Sequence, residues 1–383
     1  MIFTYRHIGD RPKTKERGGE LVLERRISRA LKVGDVAIGG GAPISIQSMT
    51  NTDTHDVEAT YAQVARLASA GCDIIRITAP DIDSVKTFEA LKSRGVSVPL
   101  VADIHFNHRI AVALAEAGVV DKIRINPGNI GGEENVRAVA RACRARGIPI
   151  RIGVNSGSVE RSILEKHGGP VPEALVESAL YHASLLEKQD FYDIVLSVKA
   201  SSVPYMIEAN RLLAERTSYP IHLGVTEAGG GNSALVKSSI GIGTLLAEGI
   251  GDTVRVSLTD DPTEEIRAAK DILAALGLDK NPGLDIVSCP TCGRTKIDLI
   301  SLLAEFRRRA EELGLMSLPY KVALMGCAVN GPGEARECDI GIAGGDGVGL
   351  LFKRGEIVRK LPESALIDTL IRELLSMREE RKT

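Results

Sequence analysis

Four of the six cysteines of this 383-residue sequence fall in its last hundred residues. Cys289 and Cys292 stand three positions apart in the motif CPTCGR, and Cys327 follows in MGCAVNGPGE. Two thiolates at this spacing can bind one metal centre. A zinc site, a thioredoxin-type dithiol and an iron–sulfur cluster are the alternatives. We favour the cluster, because a zinc ribbon usually has a second closely spaced pair and a dithiol would leave Cys327 without a role.

Two residues compete as the fourth group on such a cluster. Glu334 follows a Gly-Pro-Gly turn seven residues after Cys327, and Cys338 begins a strand-like segment in which it could simply be buried. A carboxylate is a harder and more labile ligand than a thiolate on a soft cluster, which suits an iron that must open to substrate. The residues alone leave both alternatives open. For Cys72 and Cys143 we expect burial without a metal.

A second group of reactive side chains lies toward the carboxyl ends of predicted strands. In IRIN (123–126) the isoleucines share one face, and Arg124 and Asn126 share the other. Strand side chains have a period of two, so within a barrel we expect the polar set to face the interior. By this reasoning the inward-facing residues are Arg76, Thr78, Asp103, His105, Arg124, Asn126, Arg151, Gly153, Asn155, Ser197, Lys199, Arg255 and Ser257.

Five of these inward-facing residues are cations, and cations that converge on one cavity need neutralising partners. Asp103 and Glu227 could neutralise some of them, and an anionic ligand could neutralise the rest. Arginine pairs with phosphate or carboxylate through two hydrogen bonds, and lysine supplies a point charge. The Gly- and Asn-containing loops after the strands would let backbone N–H groups approach an anion. The pattern predicts a small, polyanionic, phosphorylated substrate; the alternative is a set of internal ion pairs.

Neither Gly-rich stretch of the sequence matches a nucleotide-binding fingerprint. GIGTLL (241–246) and GGDGVG (344–349) lack the strand–GxGxxG–helix context, so we interpret both as turns. The chain therefore has no obvious hydride donor. We expect a flavodoxin or a ferredoxin to supply any electrons.

Eight strand-like segments alternate with Ala- and Leu-rich helical segments up to about residue 276, which predicts an α/β fold, a (β/α)₈ TIM-type barrel. An open doubly wound sheet is the alternative. GLDKNPG (277–283) then has the composition of a linker. We place a substrate-binding barrel at residues 1–278 and a small α+β cluster domain at residues 279–383.

Composition excludes several classes of protein. The 48 basic and 50 acidic side chains give a net charge of −2, whereas a dedicated nucleic-acid binder usually has a basic surplus. No apolar run approaches the roughly 20 residues needed to span a bilayer. The amino-terminal residues lack the apolar core of a signal peptide. We therefore expect a cytoplasmic protein that binds neither nucleic acid nor membrane.

Taken together, these motifs resemble the bacterial 4-hydroxy-3-methylbut-2-enyl diphosphate synthase family of the methylerythritol phosphate route to isoprenoids. The resemblance runs from about residue 25 to about residue 375. The matching segments are GGGAPISIQSMTNTDT (39–54), RINPGN (124–129), RIGVNSGS (151–158), VKAS (198–201), TEAG (226–229), RVSLT (255–259), CPTCGR (289–294) and MGCAVNGPGE (325–334).

The resemblance implies a barrel followed by a domain similar to half of a sulfite or nitrite reductase, with a [4Fe–4S] cluster on Cys289, Cys292, Cys327 and Glu334. It thus favours Glu334 over Cys338. The implied reaction is the reductive ring opening and dehydration of 2-C-methyl-D-erythritol 2,4-cyclodiphosphate. The implied substrate-binding residues are Arg76, Asp103, Arg124, Asn126, Arg151, Asn155, Lys199, Thr226, Arg255 and Ser257.

Two further expectations follow from the resemblance. Glu227 is the candidate for proton transfer, and Glu334 has a catalytic role because it moves aside to open the cluster. The last barrel helix runs away from the barrel mouth, so a short linker would not bring the cluster there. The family solution is a head-to-tail homodimer in which one subunit's cluster caps the other's barrel. The competing functions are a zinc-stabilised barrel enzyme without redox chemistry and an electron carrier.

Overall fold

The computed structural model describes residues 14–17, 20–126, 129–328, 335–345 and 347–381. The chain divides into two compact units, Met1–Asp279 and Lys280–Thr383. Two short antiparallel hairpins, β1–β2 and β3–β4, precede the main sheet of the first unit. Their strands are β1 (Thr14–Arg17), β2 (Glu20–Leu23), β3 (Leu31–Val33) and β4 (Val36–Ile38).

Eight parallel strands form the main sheet, in the order β10-β9-β8-β7-β6-β5-β12-β11. A single parallel bridge between Leu196 and Ile221 joins the two ends of this order and closes the barrel. The strands are β5 (Ser45–Met49), β6 (Ile74–Thr78), β7 (Leu100–Ile104), β8 (Lys122–Ile125), β9 (Ile150–Asn155), β10 (Ile194–Lys199), β11 (His222–Leu223) and β12 (Thr253–Val254). The prediction of a (β/α)₈ barrel is confirmed.

Helices connect the strands and cover the outside of the barrel. Local signals set several of their ends: Asp56 accepts a hydrogen bond from the Ala59 N–H at the start of the first helix, and Gly147 ends the fourth in the left-handed conformation. The helices are α1 (Val57–Ser69), α2 (Ser84–Ser93), α3 (His108–Ala117), α4 (Glu133–Arg146), α5 (Arg161–His167), α6 (Pro172–Glu187), α7 (Val203–Arg216), α8 (Gly231–Ala247) and α9 (Pro262–Ala275).

The amino-terminal end of the barrel interior is apolar, and the β3–β4 hairpin packs against it. One buried cluster joins hairpin and barrel residues: Leu31, Val33, Ile38, Ile74, Val101 and Val195. Because this end is filled by aliphatic side chains, the polar part of the interior lies toward the carboxyl ends of the strands. That is the end at which barrel enzymes build their active sites.

The seventh and eighth predicted strands are much shorter than expected. The sequence predicted strands over 220–228 and 253–261, but only His222–Leu223 and Thr253–Val254 pair in the sheet. The Arg255 N–H still donates to the Leu223 carbonyl, and the chain then leaves the sheet as loops. Thr226, Glu227 and Ser257 therefore lie on loops rather than on strands.

The second unit contains a mixed five-stranded sheet in sequential order. β13 (Asp285–Ser288), β14 (Lys321–Met325) and β15 (Ile340–Ala343) are parallel, and β16 (Gly349–Lys353) and β17 (Glu356–Leu361) continue antiparallel. Helices α10 (Leu299–Glu312) and α11 (Leu366–Glu380) contribute Phe306 and Leu370 to its apolar core. The predicted α+β architecture is confirmed.

Candidate functional site

Among the residues that the structure describes, six basic side chains project into the polar half of the barrel. Five of them lie on strands, at positions that alternate with the outward-facing core residues, as the period of two requires, and Arg255 directly follows β12. Arg151 is 2% exposed and Lys122 is fully buried. The six are Arg76, Lys122, Arg124, Arg151, Lys199 and Arg255.

Asp103 neutralises part of this charge. Its carboxylate accepts a hydrogen bond from Arg124 Nη1 at 2.9 Å and lies 3.6 Å from Arg76 Nε. Burial alone would raise the pKa of Asp103, but the positive charges of Arg76 and Arg124 outweigh burial and hold that pKa well below its usual range. Burial lowers the pKa of Arg76 to about 10, and Asp103 opposes that shift.

Replacing Asp103 by asparagine tests this ion pair through its pH dependence. Breaking a buried pair costs about 3–5 kcal/mol, so we expect Asp103→Asn to lower the free energy of unfolding by about that amount at pH 7. Because the pKa of Asp103 is lower in the folded state than in the unfolded state, the carboxylate stabilises the fold at pH values above its unfolded pKa of about 4. This stabilisation is lost as the pH falls below about 4. Urea unfolding across pH 3–7 should show the two proteins converging toward acid. A constant difference would contradict the assignment.

Glu265 is the second carboxylate of the interior, and sequence reasoning missed it. It is 3% exposed and accepts hydrogen bonds from Arg255 Nη2 at 2.8 Å, Arg255 Nε at 3.2 Å and Ser48 Oγ at 2.8 Å. The signal was present, because Glu265 lies in the first turn of α9 next to the buried Ile266. Glu227, which the sequence suggested as a neutralising group, is exposed and has a φ of 52°.

We expect Glu265→Gln to destabilise the barrel by about 3 kcal/mol, because Arg255 would lose its charged partner while remaining largely buried. Urea unfolding at pH 7 measures this loss. The exposed neighbour Glu264 offers a matched control, and Glu264→Gln should change stability by less than about 0.5 kcal/mol. Equal stability of the two variants would contradict the structural role of Glu265.

Three of the basic side chains have no carboxylate in ion-pair contact within the described part of the chain: Lys122, Arg151 and Lys199. Burial lowers the pKa of Arg151 and of Lys199 well below the usual range, and neighbouring cations add to the shift. Internal ion pairs thus account for Arg76, Arg124 and Arg255 only. The surplus of positive charge favours an anionic ligand over the alternative of a purely structural network.

Two glycines leave room for these long side chains. A Cβ at Gly153 would lie 2.8 Å from Arg124 Nε, and one at Gly224 would lie 2.6 Å from Lys199 Nζ. A side chain at either position would displace the cation that fills the space. The remaining predicted site residues line the same end of the barrel: Asn126 is buried, whereas Asn155, Thr226 and Ser257 are half-buried.

The cysteines of the second unit lie where two adjacent parallel strands end. Cys289 follows β13 directly, and Cys327 follows β14 after Gly326. The Gly326 N–H points at Cys289 Sγ, 3.2 Å away, so the two loops touch. Cys292 is exposed in a tight turn, and hydrogen bonds from Arg294 lower the pKa of its thiol.

The residues present fit an iron–sulfur cluster in kind and in topology. Three thiols come from loops at one end of a parallel pair, and an N–H donor already points at a sulfur, as is common around such clusters. Among the described residues, no three side chains of His, Cys, Asp or Glu converge closely enough to hold a metal ion. Glu334 lies outside the described residues.

The other cysteines have surroundings that differ from this group. Cys338 is 2% exposed and packs with Ala323, Met325 and Phe352. Burial raises the pKa of Cys72 and of Cys143 to about 12, so both thiols stay protonated at neutral pH. These are the properties of cysteines that only fill space in a core.

Family models match both units of the chain. The model described as the GcpE TIM-barrel domain matches residues 28–270, and the GcpE protein C-terminal domain matches residues 285–376. The chain belongs to the GcpE family.

Curated GcpE relatives match over nearly their whole length. The protein named 4-hydroxy-3-methylbut-2-en-1-yl diphosphate synthase (flavodoxin) from Caldanaerobacter subterraneus is 55% identical, and the match covers 94% of this chain and 100% of the relative. The protein of that name from Ruminiclostridium cellulolyticum is also 55% identical, and the match covers 93% of this chain and 99% of the relative. The protein of that name from Clostridium perfringens is 54% identical and covers 91% and 99%. The resemblance inferred from the motifs is confirmed.

A solved structure from outside the GcpE family is similar to part of this chain. In the type I 3-dehydroquinate dehydratase from Clostridium difficile, the similar region covers 65% of this chain and 98% of the dehydratase, at 16% identity and a TM-score of 0.49. None of the helices in the described ranges combines the length and the hydropathy that a membrane crossing needs.

Proposed function

We propose that this GcpE protein converts 2-C-methyl-D-erythritol 2,4-cyclodiphosphate into (E)-4-hydroxy-3-methylbut-2-enyl diphosphate. Two electrons and two protons enter, the ring opens at a C–O bond, and one water is lost. The single observation that carries the substrate assignment is the buried surplus of cations at the carboxyl end of the barrel, including Lys199 and Arg151. The names of the relatives supply the reaction.

The barrel residues bind and orient the diphosphate in this proposal. Arg124 and Arg76 are already held in place by Asp103, so little side-chain freedom is lost when phosphate oxygens pair with them. Lys199 and Arg151 provide charge that no carboxylate of the described residues cancels. Asn126, Asn155, Thr226 and Ser257 line the rim, where amide and hydroxyl groups can donate to the remaining oxygens.

The second unit holds the redox centre in this proposal. Cys289, Cys292 and Cys327 bind a [4Fe–4S] cluster with Glu334 as the fourth ligand, and the cluster supplies electrons one at a time together with a Lewis-acidic iron. Glu227 is exposed on the loop after β11, where it can exchange a proton with solvent and deliver it to the substrate. A flavodoxin reduces the enzyme. The six thiols are free, as is usual in the cytoplasm, where we place the reaction.

Anaerobic turnover of the cyclic diphosphate with a chemical reductant tests the function directly. We expect a brown protein that contains iron and releases the open-chain diphosphate. A colourless protein that contains one zinc and shows no turnover would overturn the proposal and favour a barrel enzyme without redox chemistry.

We further propose a head-to-tail homodimer in which each barrel is completed by the partner's cluster unit. Mixing subunits that carry Arg124→Ala with subunits that carry Cys289→Ser should then restore part of the activity, because one hybrid site keeps both an intact barrel and an intact cluster. Each variant alone serves as the control. Absence of any recovery in verified mixed dimers would contradict shared sites.

A further inference from the structure

A layer of buried polar side chains lies beneath the cations that face the barrel mouth. Each of its five members is at most 2% exposed and has at least one side-chain polar atom without a hydrogen-bond partner among the described residues. Buried polar groups of this kind are normally satisfied by ordered water. The five are Ser45, Gln47, Lys122, Ser197 and His222.

Lys122 is the unusual member of this layer, because a buried lysine is nearly always paired. It lies two residues before Arg124 on the same face of β8, and its register partner on β7 is the apolar Val101. The charged groups that act on it are Arg151 from β9 and Arg76 from β6, both positive. His222 from β11 also lies within electrostatic reach and is itself fully buried.

Both interior carboxylates found above in the described part of the chain are engaged elsewhere. Asp103 on β7 pairs with Arg124 and Arg76, and Glu265 on α9 pairs with Arg255. Lys199 on β10 adds a further positive charge. Burial, reinforced by Arg151 and Arg76, lowers the pKa of Lys122 well below its usual range. Burial and the same surplus of cations lower the pKa of His222.

A diphosphate at the barrel mouth would reverse the sign of the local field. In a medium of low dielectric constant, several negative charges close to the cations offset the repulsion that disfavours a charged amine at Lys122. Protonation of the amine then becomes favourable. We propose that Lys122 is a positioning residue that takes up one proton from solvent when the diphosphate binds, so that an ammonium forms beneath the anion only when the anion is present.

This inference rests on the proposed function, because it assumes that a diphosphate occupies the barrel. The proton balance is simple: the neutral amine accepts a proton that reaches it through water in the polar layer, and no other bond changes. The empty barrel thereby avoids a further unpaired charge, and the occupied barrel gains one more cation against the anion.

Calorimetric titration of the anaerobic holoenzyme with inorganic pyrophosphate, in buffers of different ionisation enthalpy at neutral pH, measures the protons taken up on binding. We expect the wild type to take up more protons than Lys122→Met, by up to about one per bound anion. Changes in the ionisation of pyrophosphate itself are common to both proteins and cancel in the difference. Lys122→Gln, which keeps a polar group in the layer, should match Lys122→Met.

The control is Lys32→Met, which replaces an exposed lysine on β3 and should take up as many protons as the wild type. Equal uptake by wild type and both Lys122 variants would overturn the inference. The inference would also be overturned if proton uptake persisted in the Lys122 variants and disappeared in His222→Asn, because the proton would then reside on the imidazole. Failure of the wild type to bind either pyrophosphate or the cyclic diphosphate would instead reject the proposed function.

Discussion

Replacing Cys289 by serine is expected to abolish the visible absorption of the anaerobically purified protein and to lower turnover by more than about a hundredfold. Changing a group that only supports a metal ligand lowers activity by up to about a hundredfold, so loss of a ligand itself should have a larger effect. Cys289 directly follows β13, beside the loop that carries Cys327, and its sulfur already accepts the Gly326 N–H. A serine hydroxyl is harder and far less acidic than a thiol, so it is a poor ligand for a soft cluster. Iron content and the absorption spectrum measure the effect.

Cys338→Ser is the matched control for this prediction. Cys338 is buried in the apolar cluster with Ala323 and Phe352, so its replacement should cost some stability while leaving iron content and turnover intact. Loss of iron from Cys338→Ser, with retention in Cys289→Ser, would show that the ligand set is wrongly assigned. Cys143→Ser in α4 controls for thiol loss in the barrel unit.

Replacing Lys199 by methionine is expected to weaken pyrophosphate binding and to lower kcat/KM by about a hundredfold. This factor corresponds to about 2.7 kcal/mol, which lies within the range for removing one partner of a buried charge pair. Lys199 ends β10, is 7% exposed, and has no carboxylate partner among the described residues. Methionine is nearly the same length and fills the space that Gly224 leaves open. The fold should therefore tolerate the change.

Thermal unfolding separates binding from folding in this variant. Because burial disfavours the charged amine, Lys199→Met should have a melting temperature at least equal to that of the wild type. The exposed Lys86 on α2 provides the control, and Lys86→Met should leave both binding and turnover unchanged. Normal affinity in Lys199→Met would mean that the barrel interior is not the phosphate site.

Much of the barrel could be predicted because its signals are local. Alternation over IRIN and its counterparts assigned the inward face of β8 and β9, and the repeated strand–helix period predicted closure. The lengths of β11 and β12 could not be predicted, since Val225 and Val256 are as apolar as strand residues. Both segments leave the sheet at Gly224 and Arg255, which contact the side chains of Lys199 and Glu265. These contacts exist only in the packed barrel.

The sequence by itself determined which chemistry is possible. The spacing of Cys289 and Cys292, the motif that contains Cys327, and the period of two that points Arg124 and Lys199 inward all follow from chain order. These features could be predicted because each depends only on the geometry of one strand or one loop.

Only the tertiary structure decided how the charges are paired and which of them remain for a ligand. Asp103 meets Arg124 across neighbouring strands, and Glu265 reaches Arg255 from a helix that packs on the barrel. Lys122 lies on the same strand as Arg124 and yet has no acid in contact among the described residues. Pairing and desolvation depend on distances between segments remote in the chain, and these distances exist only once the barrel has closed.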